Sequence, residues 1–139
     1  SDKAGLVELA SRLSAFPVVR EVLTAMQRDL ARDGGVVLEG RDTGSVVAPD
    51  AEVKFYLDAD LAERTRRRAG DRAERGERSD LDQVKRELDD RDRADSNRAL
   101  APLVRPEDAL YLDSSALSLE EVVELMLKEV ERARCSTRS

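Results

Sequence analysis

Residues 36–44 read Val36-Val37-Leu38-Glu39-Gly40-Arg41-Asp42-Thr43-Gly44. The run begins with three apolar residues that suit a buried strand, and glycine and polar residues follow them directly. In α/β proteins, ligands bind beyond the carboxyl ends of parallel strands. The stretch therefore predicts a strand at residues 36–38 and a candidate binding segment at Arg41 and Asp42.

Arg41 and Asp42 allow two interpretations. An arginine presents a fixed fork of donors that fits phosphate or carboxylate, and an aspartate can accept a hydrogen bond from an amino group. Together they suit an anionic ligand that also carries an amine, which describes a nucleotide better than a metal. The alternative is a strand-to-loop turn in which the two side chains form an ion pair with each other.

Apolar spacing and capping residues predict the remaining elements. The predicted helices cover residues 3–15, 17–32, 61–75, 81–93 and 119–130, and the predicted strands cover residues 36–38, 53–57 and 109–113. Ser118 and Glu121 form a capping box before the last helix. The order helix, helix, strand, strand, helix, helix, strand, helix predicts an α/β fold whose parallel strands are joined by helical crossovers.

Composition excludes several classes of function. The chain has 139 residues and a formal net charge of -6, so it does not resemble a protein that coats nucleic acid through bulk electrostatics. Any anion site must therefore be a local arginine cluster. The chain contains no histidine and a single cysteine, Cys135. This excludes a disulfide framework, a zinc ligand set, and catalysis by Ser-His-Asp or Cys-His groups.

The sequence carries no sign of a membrane or secretory segment. No apolar stretch is long enough to cross a bilayer, and the polar start Ser1-Asp2-Lys3-Ala4-Gly5 does not resemble a signal peptide. We therefore expect the protein in the cytoplasm and not at a membrane.

Two further segments are rich in arginine. Arg91, Asp95 and Arg98 are spaced i, i+4 and i+7, so on a helix two guanidinium groups would flank one carboxylate. Residues 63–68 read Glu-Arg-Thr-Arg-Arg-Arg, and an anionic partner would relieve the repulsion among these arginines. For both segments the alternative is a solvated helix face with paired charges.

Five segments, taken in order, resemble the bacterial cytidylate kinases, which belong to the nucleoside monophosphate kinases. They are Ala-Phe-Pro-Val-Val-Arg at 15–20, Glu-Gly-Arg-Asp-Thr-Gly-Ser-Val-Val-Ala-Pro-Asp-Ala at 39–51, Ala-Glu-Arg-Thr-Arg-Arg-Arg at 62–68, Arg-Asp-Arg-Ala-Asp-Ser-Asn-Arg-Ala-Leu-Ala-Pro-Leu at 91–103, and Ala-Leu-Tyr-Leu-Asp-Ser-Ser at 109–115. Together the segments extend over nearly the whole chain, in the family's order and with compatible spacing.

The resemblance implies a P-loop NTPase-like parallel sheet and transfer of the γ-phosphoryl group of ATP to CMP or dCMP, with magnesium. It also implies roles for residues at matching positions. The positions that contact the base are Ser11, Arg20 and Asp42. Those that contact the ribose are Arg91 and Asp95, and those that contact the acceptor phosphate are Arg41 and Arg98. Arg67 and Arg68 match the start of a mobile lid, here about residues 64–90, whose arginines close over the transferring phosphates and exclude water.

One departure from the family concerns the phosphate loop. The family begins with a strand and a glycine-rich loop that ends in Gly-Lys-Ser/Thr, whereas none of the four lysines here, Lys3, Lys54, Lys85 and Lys128, follows a glycine. The first two strands of the family fold are also absent, and one of them belongs between residues 36–38 and 53–57. We therefore expect residues 1–139 to be the C-terminal portion of a single kinase core domain, with exposed apolar edges.

These observations leave three hypotheses for the chain. The first is a part of a complete cytidylate kinase that is inactive alone and packs against its own missing N-terminal segment or a second copy. The second is a non-catalytic nucleotide-binding or protein-interaction module derived from the family. The third is a charged helical interaction domain whose resemblance is purely ancestral.

Overall fold

The computed structural model describes residues 3–96 and 104–136. The elements in these ranges are α1 (Lys3–Leu13), α2 (Pro17–Ala31), a π-helix (Thr43–Val47), β1 (Phe55–Asp58), α3 (Leu61–Glu74), α4 (Leu81–Ser96), β2 (Leu110–Asp113) and α5 (Leu119–Ser136). All five predicted helices are present, and the predicted α/β class is confirmed.

The sheet in the described residues consists of β1 and β2, which pair in parallel. Phe55 lies opposite Leu110, and Asp58 lies opposite Asp113. Since α3 and α4 lie between the two strands in the chain, the predicted helical crossover is confirmed. Both strands end in an aspartate at the same edge, so the residues that follow them are neighbours.

The prediction of a strand at residues 36–38 is wrong. This segment has no strand assignment, and Val37 is 97% exposed. An extended segment becomes a strand only when a neighbouring strand satisfies its backbone N–H and C=O groups. Among the described residues the only strand pairing is that of β1 with β2, so residues 36–38 do not pair with β1.

Local capping residues set the helix ends as predicted. The Asp60 carboxylate accepts a hydrogen bond from the backbone N–H of Glu63 at 2.7 Å and so caps α3. After α3, Gly76 has a φ of 75°, in the left-handed region that glycine adopts without strain. Ser118 and Glu121 form the capping box of α5, with side-chain-to-backbone hydrogen bonds of 3.2 and 3.3 Å.

Few apolar side chains are buried in the part of the chain that the structure describes. The buried ones among the described residues are Val47, Ala59, Val84, Ala109 and Val122. The apolar faces of α1, α2 and α5 lie open to solvent. Despite these open faces, no helix in the described ranges has the length and apolar character needed to cross a membrane.

Helices α3 and α4 pack against each other as a helical hairpin, and the side chain of Val84 on α4 is fully buried. Arg72 of α3 forms an ion pair with Glu87 of α4. This hairpin covers most of residues 64–90, and the motion predicted for that region stays a prediction.

Candidate functional site

An ion pair joins α2 to the segment that follows residues 36–38. Arg20, in the first turn of α2, donates through Nη1 to Asp42 Oδ2 at 2.7 Å, and its Nε donates to the carbonyl of Ser14 at 3.0 Å. Both partners are largely buried, with side chains 17% and 16% exposed. Asp42 thus has Arg20 as its ion-pair partner, and its chain neighbour Arg41 contacts a different carboxylate.

The π-helix Thr43–Val47 fixes the backbone of Asp42. The carbonyl of Asp42 accepts from the N–H groups of Val46 at 2.9 Å and Val47 at 3.2 Å. Arg28, two turns after Arg20 on α2, donates to the carbonyls of Val46 at 2.7 Å and Val47 at 3.3 Å. Helix α2 therefore holds this segment at two points, through Arg20 and through Arg28.

A small cavity of about 170 Å³ lies beside the Arg20–Asp42 pair. Its lining residues are Ser14, Arg20, Leu23, Thr24, Gln27 and Asp42. They provide a guanidinium, a carboxylate, an amide and hydroxyl groups around one apolar side chain. Such a mixture can orient a flat, polar ring by hydrogen bonds on its edge.

Three polar lining residues, Ser14, Thr24 and Gln27, were missed by the sequence analysis. Thr24 and Gln27 follow the predicted Arg20 at i+4 and i+7, so the three form a polar stripe on α2, and this spacing is the signal that would have found the two. Ser14 hydrogen-bonds through Oγ to the carbonyl of Ser11 at 2.9 Å. Ser11 itself is exposed, one turn earlier in the chain, and its base contact stays a prediction.

A second charged cluster joins three segments around Asp92 of α4. Arg64 of α3 forms a close ion pair with Asp92 Oδ2, and Arg41 Nη1 lies 3.8 Å from Asp92 Oδ1. Arg64 Nε also donates to the carbonyl of Ala59 at 3.0 Å. The two arginines and the carboxylate are about one-third exposed. The segment of Arg41 and Asp42 is therefore adjacent to α4.

The structure places only part of the predicted ribose and phosphate set. Arg91 is exposed on α4, next to Asp92 in the chain. The predicted roles of the Asp95 side chain and of Arg98 lie outside the described residues. The sequence predicted a carboxylate between two guanidinium groups on one helix face, and the structure contains such an arrangement at Asp92, with arginines from two other segments.

Arg67 is bound at the carboxyl edge of the sheet. It donates through Nη1 to Ser114 Oγ at 3.0 Å and through Nη2 to the Ser114 carbonyl at 2.7 Å. Ser114 is buried and its Oγ donates to the carbonyl of Asp58 at 2.8 Å. Arg67 therefore connects α3 to the ends of both strands, whereas its neighbour Arg68 is exposed.

Glu63 neutralises part of the arginine run. Arg66 donates to both of its carboxylate oxygens, at 2.9 and 2.6 Å, and Arg67 Nε donates at 2.9 Å. These hydrogen bonds, that of Arg66 above all, lower the pKa of Glu63 to about 2. Two arginines of residues 63–68 are thus paired within α3, as the alternative interpretation of a face with paired charges requires.

Polar contacts also join the two strand ends. Tyr111 donates through its hydroxyl to Asp58 Oδ2 at 2.7 Å, and this hydrogen bond to a carboxylate raises the pKa of Tyr111 to about 12. Hydrogen bonds from the side chain and backbone of Ser115 lower the pKa of Asp113. Both carboxylates therefore accept hydrogen bonds from neighbours within the chain.

The site has no metal centre of its own among residues 3–96 and 104–136. No three acidic or cysteine side chains there lie where they could jointly hold a metal ion. We therefore assign none of these residues to the magnesium ion that the family resemblance implies.

The two clusters together can recognise a ligand with two chemically different ends. The Arg20–Asp42 cavity offers donors and acceptors for a polar ring, and the Arg41–Arg64 pair offers positive charge for an anion. Groups of these kinds would orient a ligand by hydrogen bonds and charge.

Comparison with known proteins identifies the relatives of this chain. The family model described as "Cytidylate kinase" matches residues 3–132. A cytidylate kinase of Pediococcus pentosaceus is 44% identical over 131 residues, which are 94% of this chain and 58% of that protein. One of Geobacter sulfurreducens is 49% identical over 128 residues, 90% of this chain and 55% of that protein. The chain therefore spans little more than half the length of these curated relatives.

Proposed function

The chain belongs to the cytidylate kinase family, and we propose that it supplies the acceptor-nucleotide site of an enzyme that transfers the γ-phosphoryl group of ATP to CMP or dCMP. The products are ADP and CDP or dCDP. The observation that carries this proposal is the Arg20–Asp42 pair at 2.7 Å beside a polar cavity. As predicted from the sequence, the proposed site of reaction is the cytoplasm.

Asp42 is the residue that reads the base in this proposal. Arg20 engages its Oδ2, and a carboxylate has a second oxygen with which to accept a hydrogen bond from the exocyclic amine of cytosine. Uracil carries a carbonyl at the same ring position, so it would face Asp42 acceptor to acceptor. A site built to pair with an amine rejects the analogue that lacks it, because its buried polar group is then left unpaired. Ser11 and Arg20 complete the proposed base contacts.

The sugar and phosphate lie towards α4 in this proposal. Arg41 and Arg98 hold the acceptor phosphate, and Arg91 and Asp95 hold the ribose. The ion pair between Arg41 and Asp92 supports this arrangement, since it brings the segment of Asp42 against the helix that carries Arg91. A guanidinium suits phosphate because its planar donors match two phosphate oxygens.

Arg67 and Arg68 act on the phosphates that are transferred, and residues 64–90 form the lid. The position of Arg67 beside Ser114, where β2 ends, supports a role at the carboxyl edge of the sheet. When bound with ATP, magnesium would supply charge neutralisation at the transferring phosphates. The arginines of this chain orient the phosphate oxygens and exclude water when the lid closes.

The chain of 139 residues on its own binds the acceptor without transferring phosphate in this proposal. Its sequence contains no Gly-Lys-Ser/Thr loop to hold the β- and γ-phosphates of ATP. Incubation with CMP and ATP labelled in the γ-phosphate should give no labelled CDP. Turnover by the purified chain would contradict this part of the proposal.

A protein-interaction module derived from the family is the second candidate. The open apolar faces favour it, because side chains such as Val18, Leu30 and Leu119 are 71%, 73% and 74% exposed. In the first candidate these faces pack against a further segment of the same enzyme or a second copy. In the second candidate these faces bind a different protein, and no nucleotide binds in the cavity beside Asp42.

Isothermal titration calorimetry of the purified chain separates the two candidates. We expect CMP to bind at least about tenfold more tightly than UMP. Asp42→Asn should weaken CMP binding and reduce this preference, since its amide can donate to the uracil carbonyl. Asp50→Asn, at an exposed acid of the same loop, is the matched control and should change neither. A folded chain that binds neither nucleotide would contradict the proposed function and favour the second candidate.

A further inference from the structure

Lys54 is a nearly enclosed lysine immediately before β1. Its side chain is 6% exposed, and its ammonium donates to the carbonyl of Pro49 and to Asp108 Oδ2, the latter at 2.7 Å. Pro49 follows the π-helix, and Asp108 precedes β2. One ammonium group therefore joins the loop that follows the π-helix to the loop that leads into β2.

The stem of Lys54 also supports this segment. A Cβ atom placed on Gly44 would lie 3.5 Å from Lys54 Cδ and 3.3 Å from Pro106 Cγ, so the backbone of the π-helix packs directly on both side chains. The carbonyl of Lys54 accepts from the backbone N–H of Leu110 at 2.9 Å, which ties the lysine to the sheet. The π-helix is thus held against the residues that immediately precede β1 and β2.

This position is costly for a charged group unless it has a specific partner. Burying an ammonium is unfavourable unless hydrogen bonds and an opposite charge compensate the lost hydration. Lys54 meets this requirement with one carbonyl and one carboxylate, whose pKa is lowered by the hydrogen bond. An apolar residue would fill the space, but it would not fix the Pro49 carbonyl relative to Asp108.

The contacts continue from Lys54 to Asp42. Gly44 and Pro49 bracket the turn whose N–H groups at Val46 and Val47 bind the Asp42 carbonyl. We propose that Lys54 is a positioning residue for nucleotide selection: it holds residues 43–49 against the segments that precede β1 and β2, and through them it sets the place of the Asp42 carboxylate. This inference rests on the proposed function, because Asp42 matters only if it reads the base.

The test compares three variants of the whole chain. Lys54→Met keeps the apolar stem and removes the ammonium. Asp108→Ala removes one partner at a position whose side chain is 61% exposed, so this variant tests the same contact with little risk to folding. Lys128→Met is the matched control, because Lys128 is 69% exposed on α5.

Two measurements are made on each variant. Amide hydrogen exchange of Val46, Val47 and Ala48 reports how firmly the segment is held, with the Val122 amide of α5 as internal reference. Calorimetry with CMP and UMP reports nucleotide selection. In Lys54→Met we expect the three amides to exchange about tenfold faster and the CMP preference over UMP to fall by a similar factor. Asp108→Ala should shift both in the same direction by a smaller factor, and Lys128→Met should shift neither.

Each result decides between a positioning role and its alternatives. Unchanged exchange in Asp108→Ala and in folded Lys54→Met would overturn the inference. Faster exchange with an unchanged CMP preference would also overturn it, because Lys54 would then be a structural residue only. If Lys54→Met does not fold, Asp108→Ala decides. If the unsubstituted chain binds neither nucleotide, the proposed function fails, whereas the exchange rates still tell whether Lys54 holds the segment.

Discussion

Arg20 and Asp42, 22 residues apart in the chain, form a hydrogen-bonded ion pair at 2.7 Å. Arg20 uses Nη1 for this contact and Nε for the carbonyl of Ser14, so its planar guanidinium joins the turn after α1 to the segment of Arg41 and Asp42. Both side chains are mostly shielded from water, which strengthens the interaction relative to a surface pair.

The first prediction concerns the energy of this pair. Arg20→Met leaves a shielded carboxylate without its partner, and Asp42→Asn removes the negative charge that faces the guanidinium. A double-mutant cycle in urea should give a coupling energy of about 1–2 kcal/mol. Arg20→Lys should recover only part of it, because an ammonium lacks the fork that reaches both Asp42 and Ser14. A coupling energy near zero would show that the pair behaves as an exposed salt bridge.

The second prediction concerns Asp92, which faces Arg41. If Arg41 binds the acceptor phosphate, the Asp92 carboxylate competes with that phosphate for the same guanidinium across 3.8 Å. Asp92→Asn should therefore tighten CMP binding by up to about fivefold and leave cytidine binding unchanged, since cytidine has no phosphate.

Asp90→Asn, at an exposed neighbour on α4, is the control for a general change in charge and should have the smaller effect. Calorimetry at low and high salt measures both ligands, and the gain should shrink as salt screens the charges. Equal changes for CMP and cytidine would count against a phosphate role for Arg41.

The sequence predicted features that depend on neighbouring residues in the chain. The cap at Asp60, the capping box at Ser118 and the stop at Gly76 each involve contacts within a few residues, and all three are present. The two strands that pair with each other were also predicted. Residues 36–38 have the same apolar character, but a strand requires a partner, and the apolar pattern of one segment does not specify one.

The charged clusters depend on contacts between distant segments. The helical spacing of Arg91, Asp95 and Arg98 predicted two guanidinium groups around a carboxylate. The structure forms such a cluster around Asp92 with Arg41 and Arg64, which lie in other segments. Helical spacing can identify residues on one face, but it does not tell which face another segment will meet. For the same reason Lys54 gave no signal in the sequence.

The third prediction is the pH dependence of stability from Glu63. Its pKa is lowered to about 2 in the folded chain by Arg66 and Arg67, against about 4.5 without these contacts. A lowered pKa means that the folded state favours the ionised form, so the stabilisation is fully present above the unfolded pKa.

The stability difference between the unsubstituted chain and Glu63→Gln should therefore be constant from pH 7 to about 5, decline as the pH falls through about 4, and vanish near pH 2. Urea unfolding at several pH values measures it. Glu131→Gln, at an exposed acid of α5, is the control. A difference that persists unchanged below pH 2, or that grows as the pH falls, would contradict the contacts assigned to Glu63.

The fourth prediction concerns the proton of Tyr111 at the strand ends. Its hydroxyl donates to the Asp58 carboxylate, which raises its pKa to about 12, because ionisation would break the hydrogen bond and place two negative charges together. The phenolate absorbs in the near ultraviolet, so an alkaline titration should show a phase near pH 12 that disappears in Tyr111→Phe. In Asp58→Asn this phase should move towards the ordinary tyrosine pKa of about 10. Asp113→Asn should move it less, since Asp113 acts on Tyr111 through charge alone. A Tyr111 phase near pH 10 in the unsubstituted chain would show that the hydroxyl does not bind Asp58, and the two strand ends would then lack this link.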